Sequence, residues 1–416
     1  MSATTINPLP LPEEQRKSVP RYLTIHKCLP FAVLYFFFNS VGLPLGLFYT
    51  TILSPLFFIW LYLKGKRWLT FKFLLCLSPF VIAHARLGVD SPFYYMRSVL
   101  LLWTVYITAY AFGLALVRAQ HVERLFEQLI VLNFFAALIA LALLPTPLGD
   151  PLWNANFNDL GNLPGYVRRL QLLTLEPSHY GFEMTPLLIF MSVRLLQKPD
   201  RRNLLYVLMI LLPLILSQSF GALSMCTAAL AVALIPALTR LLRKGGSILI
   251  LAAIGILLMA LLLIPNPISL RVSQVVAGSD SSINSRTLNA FALAYLLATS
   301  KSIWWGIGIG QSKLQDVFDL HVGFNVAIIP NAMAATFAEL GLVAVLVKFF
   351  LEFYLFFRTR VYRDSFRLAM FVVAFICQLT GSYLTDVQEY LTWFFAFVQI
   401  FPVMNLMRRL SRRVNG

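Results

Sequence analysis

Charge is scarce in this chain. Only 12% of its 416 residues are Asp, Glu, Lys or Arg, against about 25% in an ordinary soluble domain. A water-soluble fold needs a charged surface, and this sequence cannot cover one. With 59% hydrophobic residues, a soluble enzyme, a coiled coil and an intrinsically disordered protein are excluded as descriptions of the whole chain. Cysteine is scarce as well. Cys28, Cys76, Cys226 and Cys377 each lie in or beside an apolar run, and none has Cys-x-x-Cys or Cys/His metal spacing. That argues against a disulfide frame and a zinc site; neither a metal nor a cofactor is expected. The first 26 residues are polar and punctuated by proline, with no short apolar core ending in a small-residue cleavage site. They do not read as a cleaved signal peptide, so the first apolar run is expected to stay in the membrane. No internal repeat, low-complexity segment or soluble domain stands out.

What is abundant is apolar sequence in long runs, with a mean hydropathy of +0.75. A span takes about 20 residues. Twelve candidates fit, at roughly 28–44, 46–63, 69–84, 97–117, 125–144, 179–197, 203–219, 221–239, 247–264, 332–357, 367–385 and 389–406. The expected fold class is an all-α polytopic membrane protein of about 12 transmembrane helices. Residues 1–26 form a tail, 27–406 a single transmembrane domain, and 407–416 a second tail. Gly42, Pro44 and Gly46 break the first long stretch. They fit the Gly-x-x-x-Gly spacing of helix packing, but Pro44 between them favours a hairpin turn. Spans seven and eight touch at 217–221, which requires a very tight turn.

The net charge of +16 calls for no nucleic-acid partner, because basic residues of a polytopic protein collect in cytoplasmic loops. With the N-terminus inside and the spans alternating, the inner segments are the first tail, 64–72, 118–124, 194–202, 240–244, 358–367 and 408–413. Counting Lys27 with the first tail, they hold 25 of the 34 Lys and Arg residues. The outer segments hold Arg86, Arg97, Arg168, Arg169, Arg271, Arg286, Lys301 and Lys313, and Lys348 lies within a span. Both termini are therefore expected in the cytoplasm. Two outer loops are long, about 145–178 and 265–330. The second contains an amphipathic piece, 285–300, in which Leu288, Phe291, Ala292, Tyr295 and Leu296 recur at helical spacing. Such a helix suits the membrane surface.

Long structured outer loops commonly carry function, and the informative polar residues are there. Glu176 and His179 flank Pro177 at the mouth of a span, where a carboxylate and an imidazole suit acid/base work. Their structural reading is a helix cap and an interfacial polar residue. Arg168, Arg169 and Arg286 carry the planar fork that matches phosphate oxygens; their structural reading is a solvated charge or a headgroup contact. Gly306, Gly308 and Gly310 do not form a nucleotide loop, since no lysine follows and no βαβ unit surrounds them. They read as a turn that brings the backbone back to the membrane surface. Asn331 and Glu339 fall at the outer end of the tenth span, where ionisable groups are costly and a helix–helix hydrogen bond competes with a functional role. Lys348 and Glu352, four apart, are expected to pair with each other. Asp386 and Glu389 are expected to cap or solvate the last outer hairpin. His321 is a lone loop histidine.

At these residues the sequence resembles the O-antigen polymerase and O-antigen ligase superfamily of bacterial envelope glycosyltransferases. Three pieces carry the likeness: Arg169 through Glu176-Pro177-Ser178-His179-Tyr180-Gly181; Ser285-Arg286 through Gly306-Ile307-Gly308-Ile309-Gly310; and Pro330-Asn331 through Ala338-Glu339-Leu340-Gly341. Ser217-Gln218-Ser219 is similar to a weaker serine-rich turn. The pieces cover roughly 170–345, and the flanking spans match only in hydropathy. The resemblance implies a multi-pass enzyme of the bacterial inner membrane that works without metal and moves a glycan from undecaprenyl diphosphate to a sugar hydroxyl at the periplasmic face. By the same resemblance Arg169 and Arg286, with Arg168 behind them, bind the diphosphate. Glu176, His179 and His321 are the candidate bases, and Asn331 and Glu339 support the site. Expected partners are undecaprenyl-diphosphate-linked oligosaccharides, membrane lipid and a chain-length regulator. Ligases of the superfamily place a histidine directly before the asparagine that opens the late span. Pro330 stands there instead, which favours a polymerase over a ligase. A lipid-linked oligosaccharide flippase is the alternative from another class; repeated halves would point to it, and none are found.

Overall fold

The computed structural model describes residues 32, 42–43, 47–119, 121–154, 168–172, 174, 176–242, 284, 286–313, 329–381, 384, 387–402 and 404. The protein is mostly helical. Eleven α-helices occur among the described residues: α1 Tyr49–Leu63, α2 Arg67–Leu87, α3 Pro92–Arg118, α4 Val122–Leu143, α5 Pro177–Gln197, α6 Arg201–Ser217, α7 Phe220–Leu242, α8 Leu288–Lys301, α9 Ala332–Arg358, α10 Ser365–Thr380 and α11 Val387–Phe397. Two small antiparallel ladders accompany them: β1 Gly42–Leu43 with β2 Leu47–Phe48, and β3 Trp153–Asn154 with β4 Arg169–Leu170. The first ladder pairs the residues on either side of the expected hairpin turn at Gly42, Pro44 and Gly46, of which 44–46 lie outside the described residues. Most of the first expected span, and all of the span at 247–264, lie outside the described residues.

Four helices, α2, α3, α4 and α9, are long and apolar enough to cross a membrane, and shorter apolar helices lie at Ile52–Leu63, Gly221–Ile235 and Ser365–Thr380. Their outward faces are apolar: Leu63, Trp68, Phe93, Ile139 and Phe350 are exposed. Prolines lie inside α1, α2, α5 and α6, as neighbouring helices in a bundle permit. Local chemistry sets several starts. Pro92 opens α3 behind Ser91, Asp200 accepts the N–H of Asn203 at 2.7 Å, and Asp364 accepts those of Phe366 and Arg367 at 3.0 and 3.1 Å. Asp364 is buried, which pushes its carboxyl above the usual range; the N–H groups of Arg367, Met404 and Phe366 oppose that shift.

Helices α4, α5 and α6 alternate in direction. Arg194 at the end of α5 and Arg202 at the start of α6 both pair with Glu127 at the start of α4, at 2.7 and 2.8 Å. Phe126 of α4 meets Phe190 of α5 and Phe401 edge-on, and Phe401 meets Phe366 at the start of α10. One end of the bundle therefore carries these basic residues; it is called the basic end below. At the far end α6 turns into α7 through Gln218, which is left-handed (φ 48°), and Ser219, the very tight turn expected there. A Cβ on Gly181 of α5 would collide with Ser219, so the start of α5 packs directly against this turn. The end of α10 lies at the far end too, because its start is at the basic end.

Two expected spans take a different form. α11 has 11 residues, about 16 Å of helix, roughly half of a ~30 Å hydrocarbon core. The chain then bends back, and the N–H of Ser365 donates to the Met404 carbonyl at 2.9 Å. The expected continuous span at 332–357 is broken at Gly341 (φ 77°, ψ −177°). A straight helix would separate Asn331 from Glu352 by about 31 Å. Instead both are held by neighbouring residues of α10: Asn331 Nδ2 donates to the Leu379 carbonyl at 2.5 Å, and Gln378 Nε2 to Glu352 Oε2 at 3.1 Å. α9 is therefore two arms, 332–340 and 342–358, folded toward each other.

The glycine loop splints this break. The N–H groups of Ile307 and Gly308 donate to the carbonyls of Ala338 and Glu339, and those of Leu342 and Val343 donate to Ile303 and Trp304, at 2.9–3.2 Å. Two carbonyls and two N–H groups at the break thus find backbone partners, as burial demands. Gly306 sits at φ 74° against the carbonyls of Ala338 and Glu339, and Gly341 against that of Trp304. No side chain fits at either position. The expected turn at Gly306, Gly308 and Gly310 is a strap across a helix break.

α8 is apolar on two faces. Ala290, Leu293, Ala294 and Leu297 pack against Ala334, Ala335 and Ala338 of the first arm. The stripe expected from periodicity, Leu288, Phe291, Ala292, Tyr295 and Leu296, is the opposite, exposed face.

Candidate functional site

The short β3–β4 ladder aims the first pair of arginines. Its register sets Trp153 opposite Leu170 and Asn154 opposite Arg169. Strand alternation sends neighbouring side chains to opposite faces, and Leu170 is fully buried. Arg169 faces the turn between α6 and α7, where Nε donates to the Ser217 carbonyl and Nη2 to the Gln218 carbonyl, both at 3.2 Å. These are carbonyls at a helix C-terminus, where the helix dipole favours a cation. Arg168 turns away to an ion pair with Asp150 at 2.9 Å, exposed on both sides and worth about 0–1 kcal/mol.

Glu176 has extended backbone and precedes Pro177, the first helical residue of α5, but its side chain makes no capping bond. Its Oε2 accepts from Ser178 Oγ at 2.8 Å, and the residue is exposed. His179 is half-buried beside it. One turn on, Tyr180 donates its hydroxyl to Asn133 of α4 at 3.1 Å, which pins the start of α5 to the bundle. Glu176, His179 and Arg169 therefore share the far end, gathered around the α6–α7 turn.

Arg286 stands at the end of α10. A Cβ on Gly381 would lie 3.3 Å from its Nη1, so the guanidinium rests over the terminus of that helix. Its backbone carbonyl accepts from Asn331 Nδ2 at 2.9 Å. Asn331 also caps the first arm of α9 by accepting the N–H of Ala334 at 2.9 Å. Asn331 is fully buried and joins three elements: the start of α8, α9 and the end of α10. Both principal arginines thus sit at helix C-termini on the same end of the bundle. Glu339 is engaged elsewhere, accepting a short hydrogen bond from Ser312 Oγ beside the glycine strap. His321 lies outside the described residues.

Two ionic expectations are corrected. Lys348 does not pair with Glu352; its Nζ lies 2.8 Å from Oε1 of Glu389 on α11. Glu352 takes Gln378 instead. Glu389 is buried rather than a solvated hairpin cap. The break at Gly341 and the short α11 bring these groups to one level, which a straight-helix reading could not foresee.

A further polar group escaped sequence reasoning. His84 of α2 is buried. Its Nε2 lies 2.7 Å from the Trp305 carbonyl and its Nδ1 2.9 Å from the Tyr95 hydroxyl. A carbonyl only accepts, so Nε2 carries the proton and Nδ1 accepts from Tyr95. Gln311 clasps Ser91 through both backbone groups, and Lys301 pairs with Asp90 at 2.6 Å. Together they fasten the glycine strap to the α2–α3 connection. The signal available was an ionisable side chain within an apolar run.

Among the described residues no group of three or more His, Cys, Asp and Glu side chains is arranged to hold a metal ion. No known family model matches the chain, and no curated protein matches it.

Proposed function

We propose that the protein is a polysaccharide polymerase. It transfers a growing glycan from undecaprenyl diphosphate to a sugar hydroxyl of a second lipid-linked repeat, at the periplasmic face of a bacterial inner membrane. In this reading the chain crosses the membrane about twelve times, with both termini and the basic end in the cytoplasm. The observation that carries it is the position of Arg169 and Arg286, each resting on a helix C-terminus at the end of the bundle opposite the basic residues, with Glu176 and His179 beside the first.

A departing diphosphate gains negative charge, and fixed guanidinium groups stabilise that charge in place of a metal. Arg168 joins them once its exposed pair with Asp150 opens. The attacking hydroxyl must lose a proton; Glu176 and His179, at the aqueous edge of α5, are the groups to take it, at a gain of about 10²–10⁴-fold. His321 is a third candidate. Asn331 holds the Arg286 backbone in place and Glu339 secures the strap.

A ligase of the same superfamily differs only in the acceptor. The flippase alternative is favoured by one observation, the broken α9, since discontinuous helices are common in transporters. Four backbone hydrogen bonds with the glycine strap bridge the break, which suits a rigid scaffold better than a moving gate. The test is reconstitution with purified lipid-linked repeat, with and without a chelator. Polymer longer than one repeat, formed in both conditions, supports the reading. Movement of unpolymerised repeat between leaflets is the flippase result.

A further inference from the structure

The cluster around Glu352 lies apart from the proposed chemistry. Glu352 and Gln378 are buried, and one bond joins them, Gln378 Nε2 to Glu352 Oε2 at 3.1 Å. The two remaining oxygens, Glu352 Oε1 and Gln378 Oε1, are both buried and make no hydrogen bond among the described residues. A carboxylate and an amide carbonyl are both acceptors, so these two atoms cannot bond to each other as drawn. One proton on Glu352 resolves both. Its O–H then donates to the Gln378 carbonyl, and acid and amide form a two-bond pair.

Charge balance points the same way. The charged groups bearing on Glu352 are Lys348, one turn earlier on α9, and Glu389 from α11; α10 contributes only the neutral Gln378. Lys348 is already paired with Glu389. An ionised Glu352 would leave a second buried negative charge beside Glu389 without a cation of its own, and such charges are costly inside a membrane.

The residues that follow Gln378 are those of the Arg286 site. The Leu379 carbonyl accepts from Asn331, and Gly381 underlies the guanidinium. We propose that Glu352 is a protonated carboxylic acid that, through Gln378, fixes the end of α10 beneath Arg286, and so acts as a pH-sensitive positioning residue for that arginine. The acid–amide pair holds below the titration of Glu352. When pH rises through it, the proton leaves to solvent, the two oxygens repel, and the helix end shifts.

The link to catalysis rests on the polymerase reading, but the tests do not. Infrared spectra of the purified protein at neutral pH should contain the carbonyl stretch of a protonated carboxyl that E352Q removes. Reactivity of Arg286 toward phenylglyoxal, followed by mass spectrometry, needs no substrate. It should change as pH is raised in the wild type and stay constant in E352Q, whose amide preserves the neutral pairing. No such band, or a band that survives E352Q, overturns the protonated acid. An Arg286 pH profile identical in wild type and E352Q overturns the positioning role. Neither result depends on whether polymer is made.

Discussion

Asn331 Nδ2 donates to two carbonyls at once, that of Arg286 at 2.9 Å and that of Leu379 at 2.5 Å. Through this one amide the arginine at the start of α8 is tied to the end of α10. The side-chain oxygen of the same residue caps α9. Arg286 therefore keeps its place only while three elements stay docked, and conservative changes at Asn331 should be felt at the arginine. N331D retains the cap but loses the amide donor. We expect it to lower activity at near-normal protein levels, with N331A worse because a buried cap is also lost, at about 1 kcal/mol. Polymer yield per mole of purified protein, with a melting curve for each variant, checks this.

The arginines themselves should be separable by role. R169A and R286A should each slow glycan transfer by about 10²-fold, the usual scale for losing one fixed donor to a developing oxyanion. R168A should cost far less, because Arg168 is spent on an exposed pair with Asp150. Initial rates in proteoliposomes distinguish the three.

The strap across the α9 break makes a stability prediction. G341A and G306A place a methyl group against backbone carbonyls at positive φ and should each cost more than about 2 kcal/mol. G65A is the control: its φ is also positive, but nothing lies within 4 Å of the added carbon. Only the modest backbone strain should remain, about 1 kcal/mol. Thermal unfolding in a fixed detergent compares them.

The buried pair between Lys348 and Glu389 should behave cooperatively. K348M or E389Q alone strands a charge in the bundle, so each should destabilise by about 3–5 kcal/mol. The double variant should recover much of that loss, because no unpaired charge remains. Additive losses in a melting experiment would mean the two side chains do not share one pair.

Much of this molecule was written in local sequence. At nine of the twelve expected positions a described helix, the broken α9 among them, lies close to the expected bounds, because apolar runs and flanking charges are local signals. The caps and the tight turn at Gln218 were equally local. The break at Gly341 was not. A Gly inside an apolar run is common in a membrane helix, and only the strap from residues 302–308 makes a left-handed kink there affordable. The exchange of partners at Lys348 followed from the same fold-back, since i, i+4 spacing describes one straight helix and is silent about α11. On α8 periodicity found the apolar stripe that suits a membrane surface, and that stripe is exposed; the second, packed face was not read. Small alanines of the opposite face allow closer packing against the first arm of α9, and the larger side chains were left outside. Of the candidate site, Arg169, Glu176, His179 and Arg286 were legible as polar residues between apolar runs, whereas the bond from Asn331 to Arg286 depends on tertiary docking.

The central claim is that Arg169 and Arg286 grip one diphosphate. Its most direct test is a double-mutant cycle on the binding of undecaprenyl diphosphate to purified wild type, R169A, R286A and the double variant. Shared contact predicts that each single change weakens binding and that the second adds much less than it costs alone. Fully additive losses, or binding unchanged in both single variants, would contradict it.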